Sequence, residues 1–144
     1  MIPPFDEAGD LPPGLHTATW DEVRVRFCRF LQSDRRLLLC QRLEQLVEDA
    51  RTCGIVTRIL IGGSMVRATA EPNDFDCIVV LHPTTQYELL RPDQLQLADA
   101  RLARGRYQGD IFVAREGQPT LPLYIDFFSH NRDGKMIGMV EVIL

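Results

Sequence analysis

Apolar residues recur along this chain in two rhythms, and the places where one gives way to the other mark out its elements. Over residues 19–31 the period is helical: Val23, Phe27, Phe30 and Leu31 share a face, leaving Arg24, Arg26 and Arg29 outside it. Thr19 and Glu22 have capping-box spacing at its start, and Trp20 just after the cap reads as a core anchor. A longer helix is predicted from a Ser33 cap to about Thr52. Its apolar stripe is Leu39, Leu43, Leu46, Val47 and Ala50, and Gly54 stops it. Short continuous apolar runs then predict buried strands at residues 56–61 and 75–81. A third helix covers residues 86–104, interrupted or begun afresh at Pro92, with a basic end at Arg101, Arg104 and Arg106. A third strand follows at residues 110–114. Residues 121–129 fit either a strand or a short helix. Asn131, Arg132, Asp133 and Gly134 signal a turn, and residues 136–144 read as a last strand. This order predicts an α+β fold, a mixed β-sheet with helices packed mainly on one face.

Residues 1–18 break both rhythms. Pro3, Pro4, Pro12, Pro13, Gly9 and Gly14 predict no regular structure, while Ile2, Phe5, Leu11 and Leu15 predict an arm packed on a single domain, residues 19–144. A length of 144 residues suits one core. A net charge of −4 argues against a protein that coats nucleic acid. The apolar runs fall short of a membrane span, and the acidic, proline-bearing start does not resemble a signal peptide, so a cytoplasmic protein is expected. Cys28, Cys40, Cys53 and Cys77 form no C-x-x-C pair and lie in apolar surroundings, which predicts reduced core cysteines and no zinc.

Chemistry concentrates where the first two strands end or begin. Gly62-Gly63-Ser64 closes an apolar run, and glycine there permits positive φ and close approach of a bulky anion to the backbone. Asp74 and Asp76, two apart at a strand start, face one side and repel unless a cation lies between them. A tight turn would explain the first motif alone, and a strand-start acid the second. Their order and spacing together favour a metal–nucleotide site. Balancing two Mg²⁺ ions needs a third carboxylate, for which Asp110 and Asp126 are the candidates. His16, His82 and His130 show no catalytic or metal-ligand spacing and read as structural.

Gly63-Ser64, nine residues, then Asp74-Phe75-Asp76 resembles the signature of the nucleotidyltransferase superfamily that includes DNA polymerase β. Arg67 adds the Gly-Ser-x-x-Arg form of minimal nucleotidyltransferases from bacterial toxin–antitoxin operons. The opening Pro3-Pro4-Phe5, Leu11 to His16 and Thr19-Trp20, with the closing Arg132-Asp133-Gly134 and Gly138-Met139-Val140, is similar to small bacterial proteins assigned to the same fold. The resemblance implies transfer of a nucleoside monophosphate, AMP foremost, from ATP or another nucleoside triphosphate to a hydroxyl. It implies two Mg²⁺ ions on Asp74, Asp76 and Asp110, because the superfamily places its third aspartate on a strand after the helix that follows the first pair. Gly62, Gly63, Ser64 and Arg67 would hold the nucleotide. The implied acceptor is a partner protein encoded nearby, with a small-molecule hydroxyl next. The alternative is a binding module that keeps the fold and neutralises a partner by contact. Modification of nucleic-acid ends is disfavoured by the acidic balance, and no membrane role is expected.

Overall fold

A computed structural model describes all residues from Met1 to Leu144. Five strands form one mixed sheet: β1 (Gly14–Ala18), β2 (Val56–Gly62), β3 (Asp76–Leu81), β4 (Asp110–Arg115) and β5 (Gly138–Val142), in the order β1-β5-β2-β3-β4. β2 runs antiparallel to both β3 and β5, while the outer pairs β3–β4 and β1–β5 are parallel. The helices are α1 (Trp20–Val23), α2 (Asp34–Cys53), α3 (Pro92–Ala98), α4 (Ala100–Tyr107) and α5 (Thr120–Phe128). This is the expected α+β arrangement. Ile59, Ile61, Cys77, Val79 and Ile111 pack with residues of α1 to α4 on one face of the sheet. Leu60, Ile78, Val80 and Ala114 pack with Leu121 and Phe128 of α5 on the other. Both faces are covered, which is why the central strands are continuously apolar instead of alternating. No helix is long and apolar enough to cross a membrane.

Local signals set the helix ends. The Thr19 hydroxyl accepts the Glu22 amide at 3.2 Å, and the Ser33 hydroxyl accepts the Arg36 amide at 3.2 Å. Gly54 closes α2 at φ 78°. The long third helix is two: Asp99 leaves helical geometry and its carboxylate caps α4 through the amides of Arg101 and Leu102. Residues 121–129 resolve as helix, α5.

Several expectations need correction. The arm packs, with Ile2 and Phe5 against the core, but Gly14–Ala18 is a strand at the sheet edge. After α1 the chain widens into a π-helical stretch, Arg24–Cys28, and then turns with Leu31 at φ 53°, so Leu31 points to solvent instead of joining Val23 and Phe27. The cysteines are not all reduced. Cys28 and Cys40 come to a Cα separation of 5.8 Å and form a disulfide, leaving Cys53 and Cys77 free and buried. The bridge closes a loop across a sequence separation of 12. Cys28→Ser, or reductant on the native chain, should therefore cost about 3 kcal/mol in urea unfolding. Indistinguishable unfolding curves with and without reductant would show that the two thiols are not joined.

Candidate active site

β2, β3 and β4 end or begin at one edge of the sheet, and their register brings the candidate residues together. Gly62 pairs with Asp76 across the antiparallel β2–β3 pair, and Asp76 pairs with Asp110 across the parallel β3–β4 pair. A cavity of about 1040 Å³ opens there. Gly63, Ser64, Arg67, Asp76 and Asp110 line it, together with Asp126, His130, Asn131, Arg132 and Asp133.

The backbone holds this edge closely. The Asp110 amide donates to the Phe75 carbonyl at 3.0 Å, and Phe75 is fully buried under Gly109, where a Cβ would meet its ring at 2.2 Å. Phe75 thus pins the start of β4 to the start of β3. Gly63 stands at φ 69°, and a Cβ on it would meet Asp76 Oδ2 at 2.0 Å. The glycine is required by the Asp76 carboxylate at its back, a cause different from the close approach of an anion. Gly63→Ala should consequently lose more stability than Gly117→Ala, which carries a similar φ of 82° with open space around it. Strain at positive φ costs about 1–3 kcal/mol in both, and the collision adds to it only at residue 63. Equal losses in urea unfolding would contradict the contact.

Asp76 is half-buried. Burial first, then the charge of Asp110 and a hydrogen bond with it, then the charge of Asp74, push its carboxyl up to about 6. Asp110 is about half exposed, with Arg104 Nε at 4.0 Å from Oδ1. Asp74 is exposed in the segment before β3 and does not line the cavity. Asp126 is 77% exposed on α5 and lines the same cavity. The chemistry of Asp76 and Asp110, hard oxygens with confined like charge, suits a hard divalent cation. As the side chains stand, no group of three or more His, Cys, Asp or Glu residues is gathered around a metal position.

Arg67 has a partner the sequence pattern does not reveal. Its Nε donates to Asp10 Oδ1 at 2.5 Å, and the Asp10 carboxylate is 1% exposed. Lys135 reaches Asp10 at 3.3 Å and Asp6 at 2.8 Å, and the Ala68 amide donates to the Gly9 carbonyl at 2.8 Å. Residues 6–10 of the arm therefore hold the chain at Arg67 and Ala68, just after the Gly-Ser turn. The two terminal nitrogens of Arg67 make no hydrogen bond within the chain and remain available to an anion in the cavity.

Sequence reasoning missed Asp10, the cavity position of His130, and Arg36. His130 sits beside Asp126, its Nδ1 2.9 Å from the Asp126 carbonyl oxygen. Arg36 did carry a signal: it falls at helical spacing on the stripe of Leu39, Leu43, Leu46 and Ala50, where a charge is out of place.

Comparison with curated proteins and with solved structures finds no match in either case. The model of the family described as a family of unknown function (DUF6932) matches residues 3–143, nearly the whole chain, and the protein belongs to that family.

Proposed function

We propose that this protein is a Mg²⁺-dependent nucleotidyltransferase, moving a nucleoside monophosphate, AMP foremost, from a nucleoside triphosphate to a hydroxyl. The observation that carries this reading is the register pairing of Asp76 with Asp110 beside Gly63 and Ser64, with negative charge so confined that Asp76 keeps its proton to about pH 6. Such a pair gains from a divalent cation, and a triphosphate brings one.

Asp76 and Asp110 would hold the metal, with Asp74 turning in from the segment before β3. When bound, Mg²⁺ neutralises charge at the phosphates and lowers the pKa of the acceptor hydroxyl. Gly63, Ser64 and the free nitrogens of Arg67 hold the β- and γ-phosphates. The hydroxyl oxygen bonds to the α-phosphorus, the bond from that phosphorus to the oxygen bridging to the β-phosphate breaks, and pyrophosphate leaves. Asp110 takes the hydroxyl proton. The acceptor would approach past Asp126 and His130, which line the same cavity. The resemblance to toxin–antitoxin nucleotidyltransferases points to a hydroxyl on a partner protein in the bacterial cytoplasm, and a small-molecule hydroxyl comes second. A second reading, a binding module without catalysis, draws on one feature, the position of Asp74 outside the cavity.

The test is incubation with ATP labelled at the α-phosphate, Mg²⁺ and the product of the neighbouring gene. Label on that protein, with an equal amount of pyrophosphate released, is the expected result. Stable complex formation without label or pyrophosphate would favour the binding module.

A further inference from the structure

Arg36 is fully buried on α2 and has no acidic partner. Every nitrogen of its guanidinium donates instead to backbone carbonyls. Nε reaches Thr69 at 2.8 Å, Nη1 reaches Phe27 at 3.0 Å and Met65 at 2.8 Å, and Nη2 reaches Thr69 at 2.6 Å, Arg67 at 2.7 Å and Ser64 at 3.4 Å. Four of these five carbonyls belong to the segment that carries Ser64 and Arg67. Arg35 continues the pattern, donating to the carbonyls of Pro72 and Asn73 just before Asp74. The first turn of α2 thus governs the whole connection from β2 to β3.

A guanidinium is an expensive group to bury. Its charge loses hydration, and carbonyl dipoles return only part of that energy. Burial also lowers its proton affinity, although an arginine stays charged. Carbonyls alone could have been satisfied by neutral donors. A fixed positive charge directly behind Ser64, Met65 and Arg67 adds something a neutral donor does not, a field that favours anions at the cavity wall. The same fork fixes the direction of the carbonyls of Ser64, Met65 and Arg67 by drawing all three onto the guanidinium.

We propose that Arg36 is the positioning residue of the phosphate side of the cavity: it holds the 64–69 segment in its anion-receiving form, and bound polyphosphate supplies the counter-charge its guanidinium lacks. This inference rests on the reading of that side as the triphosphate site, and it does not require that transfer take place. The ligand class is an inorganic or nucleoside polyphosphate, touching Ser64 and Arg67 while Arg36 acts from behind.

The probe is inorganic triphosphate, titrated by calorimetry into the wild type, R36K and R36M, with melting temperature followed in parallel. Wild type should bind, and should gain stability beyond that given by chloride at equal ionic strength. R36M should bind at least about tenfold more weakly, and R36K should recover part of the loss, since lysine returns the charge without the planar fork. If R36M does not fold, R36K decides alone, because an ammonium has fewer donors than the carbonyls require and must still bind more weakly than wild type. In a transfer assay the variants should raise KM for ATP far more than they lower kcat. Unaltered triphosphate affinity in R36K with only a lower melting temperature would make Arg36 a purely structural residue and overturn the proposal. So would a wild type that binds no triphosphate. Triphosphate binding that depends on Arg36 in a protein that transfers nothing leaves this inference standing and defeats the enzymatic one. Transfer that proceeds in R36K with wild-type KM does the reverse.

Discussion

Asp76→Asn should unfold at a higher temperature than the native chain above pH 6, and the advantage should vanish near pH 4. The native Asp76 carboxyl titrates at about 6 against an ordinary 3.8, because burial and the charges of Asp110 and Asp74 disfavour ionisation. The sign follows from proton binding. Between pH 3.8 and about 6 the folded chain keeps a proton that the unfolded chain has lost, so stability falls as pH rises through that window and stays low beyond it. Solvent reaches this half-buried group, and after discounting for it the penalty at neutral pH is on the order of 1–2 kcal/mol, or about 5 °C. Asp6 and Asp93 act oppositely. A hydrogen bond from Lys135 holds Asp6 low, and one from Arg91 holds Asp93 low, so their contribution is present above pH 3.8 and lost below it. Melting curves of wild type and Asp76→Asn at pH 4, 5, 6 and 8 separate the two effects. Parallel profiles at all four would mean that Asp76 is not strained. Added Mg²⁺ at pH 8 should raise the wild-type melting temperature and leave Asp76→Asn unmoved.

The largest effect on activity is expected at Asp110. Asp110→Asn should bind ATP nearly as well as wild type, because in the proposed site Asp76, Gly63, Ser64 and Arg67 would still meet the nucleotide. Transfer should fall by about 100-fold or more, since a proton acceptor and a metal oxygen go together and transition-state stabilisation is lost without a matching loss of ground-state binding. Asp126→Asn, altering a carboxylate that is 77% exposed on α5, should change kcat by about threefold at most. Single-turnover rates at saturating ATP decide between them. A collapse in Asp126→Asn with Asp110→Asn active would move the third carboxylate to α5. Undiminished transfer in both variants would remove the carboxylate mechanism.

Much of this architecture was legible because its signals are local. The Thr19 and Ser33 caps, the Gly54 stop and the 56–61 and 75–81 runs each announce themselves within a few residues, and all reappear in the structure. The Gly63-Ser64 turn and Asp76 likewise lie in one cavity with Asp110, as their strand positions implied. What stayed hidden depends on partners far along the chain. Residues 14–18 look irregular because they open on Gly14 directly after Pro12 and Pro13, and they become a strand only by pairing with β5, from Gly14↔Gly138 to Ala18↔Val142. Asp10 is an ordinary arm residue until Arg67 and Lys135 close on it. Residues 121–129 carry apolar side chains on every side of the pattern, so periodicity could not separate strand from helix. The Cys28–Cys40 bridge joins the end of the π-helical stretch to α2, a pairing that sequence spacing alone does not disclose. Asp74 was read as equal to Asp76 because two residues on a strand share a face. β3 begins only at Asp76, so that periodicity does not extend to Asp74.

The central claim is that the edge formed by Gly63, Ser64, Asp76 and Asp110 is a metal-dependent triphosphate site. Calorimetric titration with an ATP analogue whose α,β-bridge is methylene reads this without requiring an acceptor. The account predicts one site per chain, binding that strengthens at least about tenfold on adding Mg²⁺, and loss of that Mg²⁺ dependence in Asp76→Asn. Binding of the same strength with and without Mg²⁺, or an Asp76→Asn variant that titrates like the wild type, would contradict it.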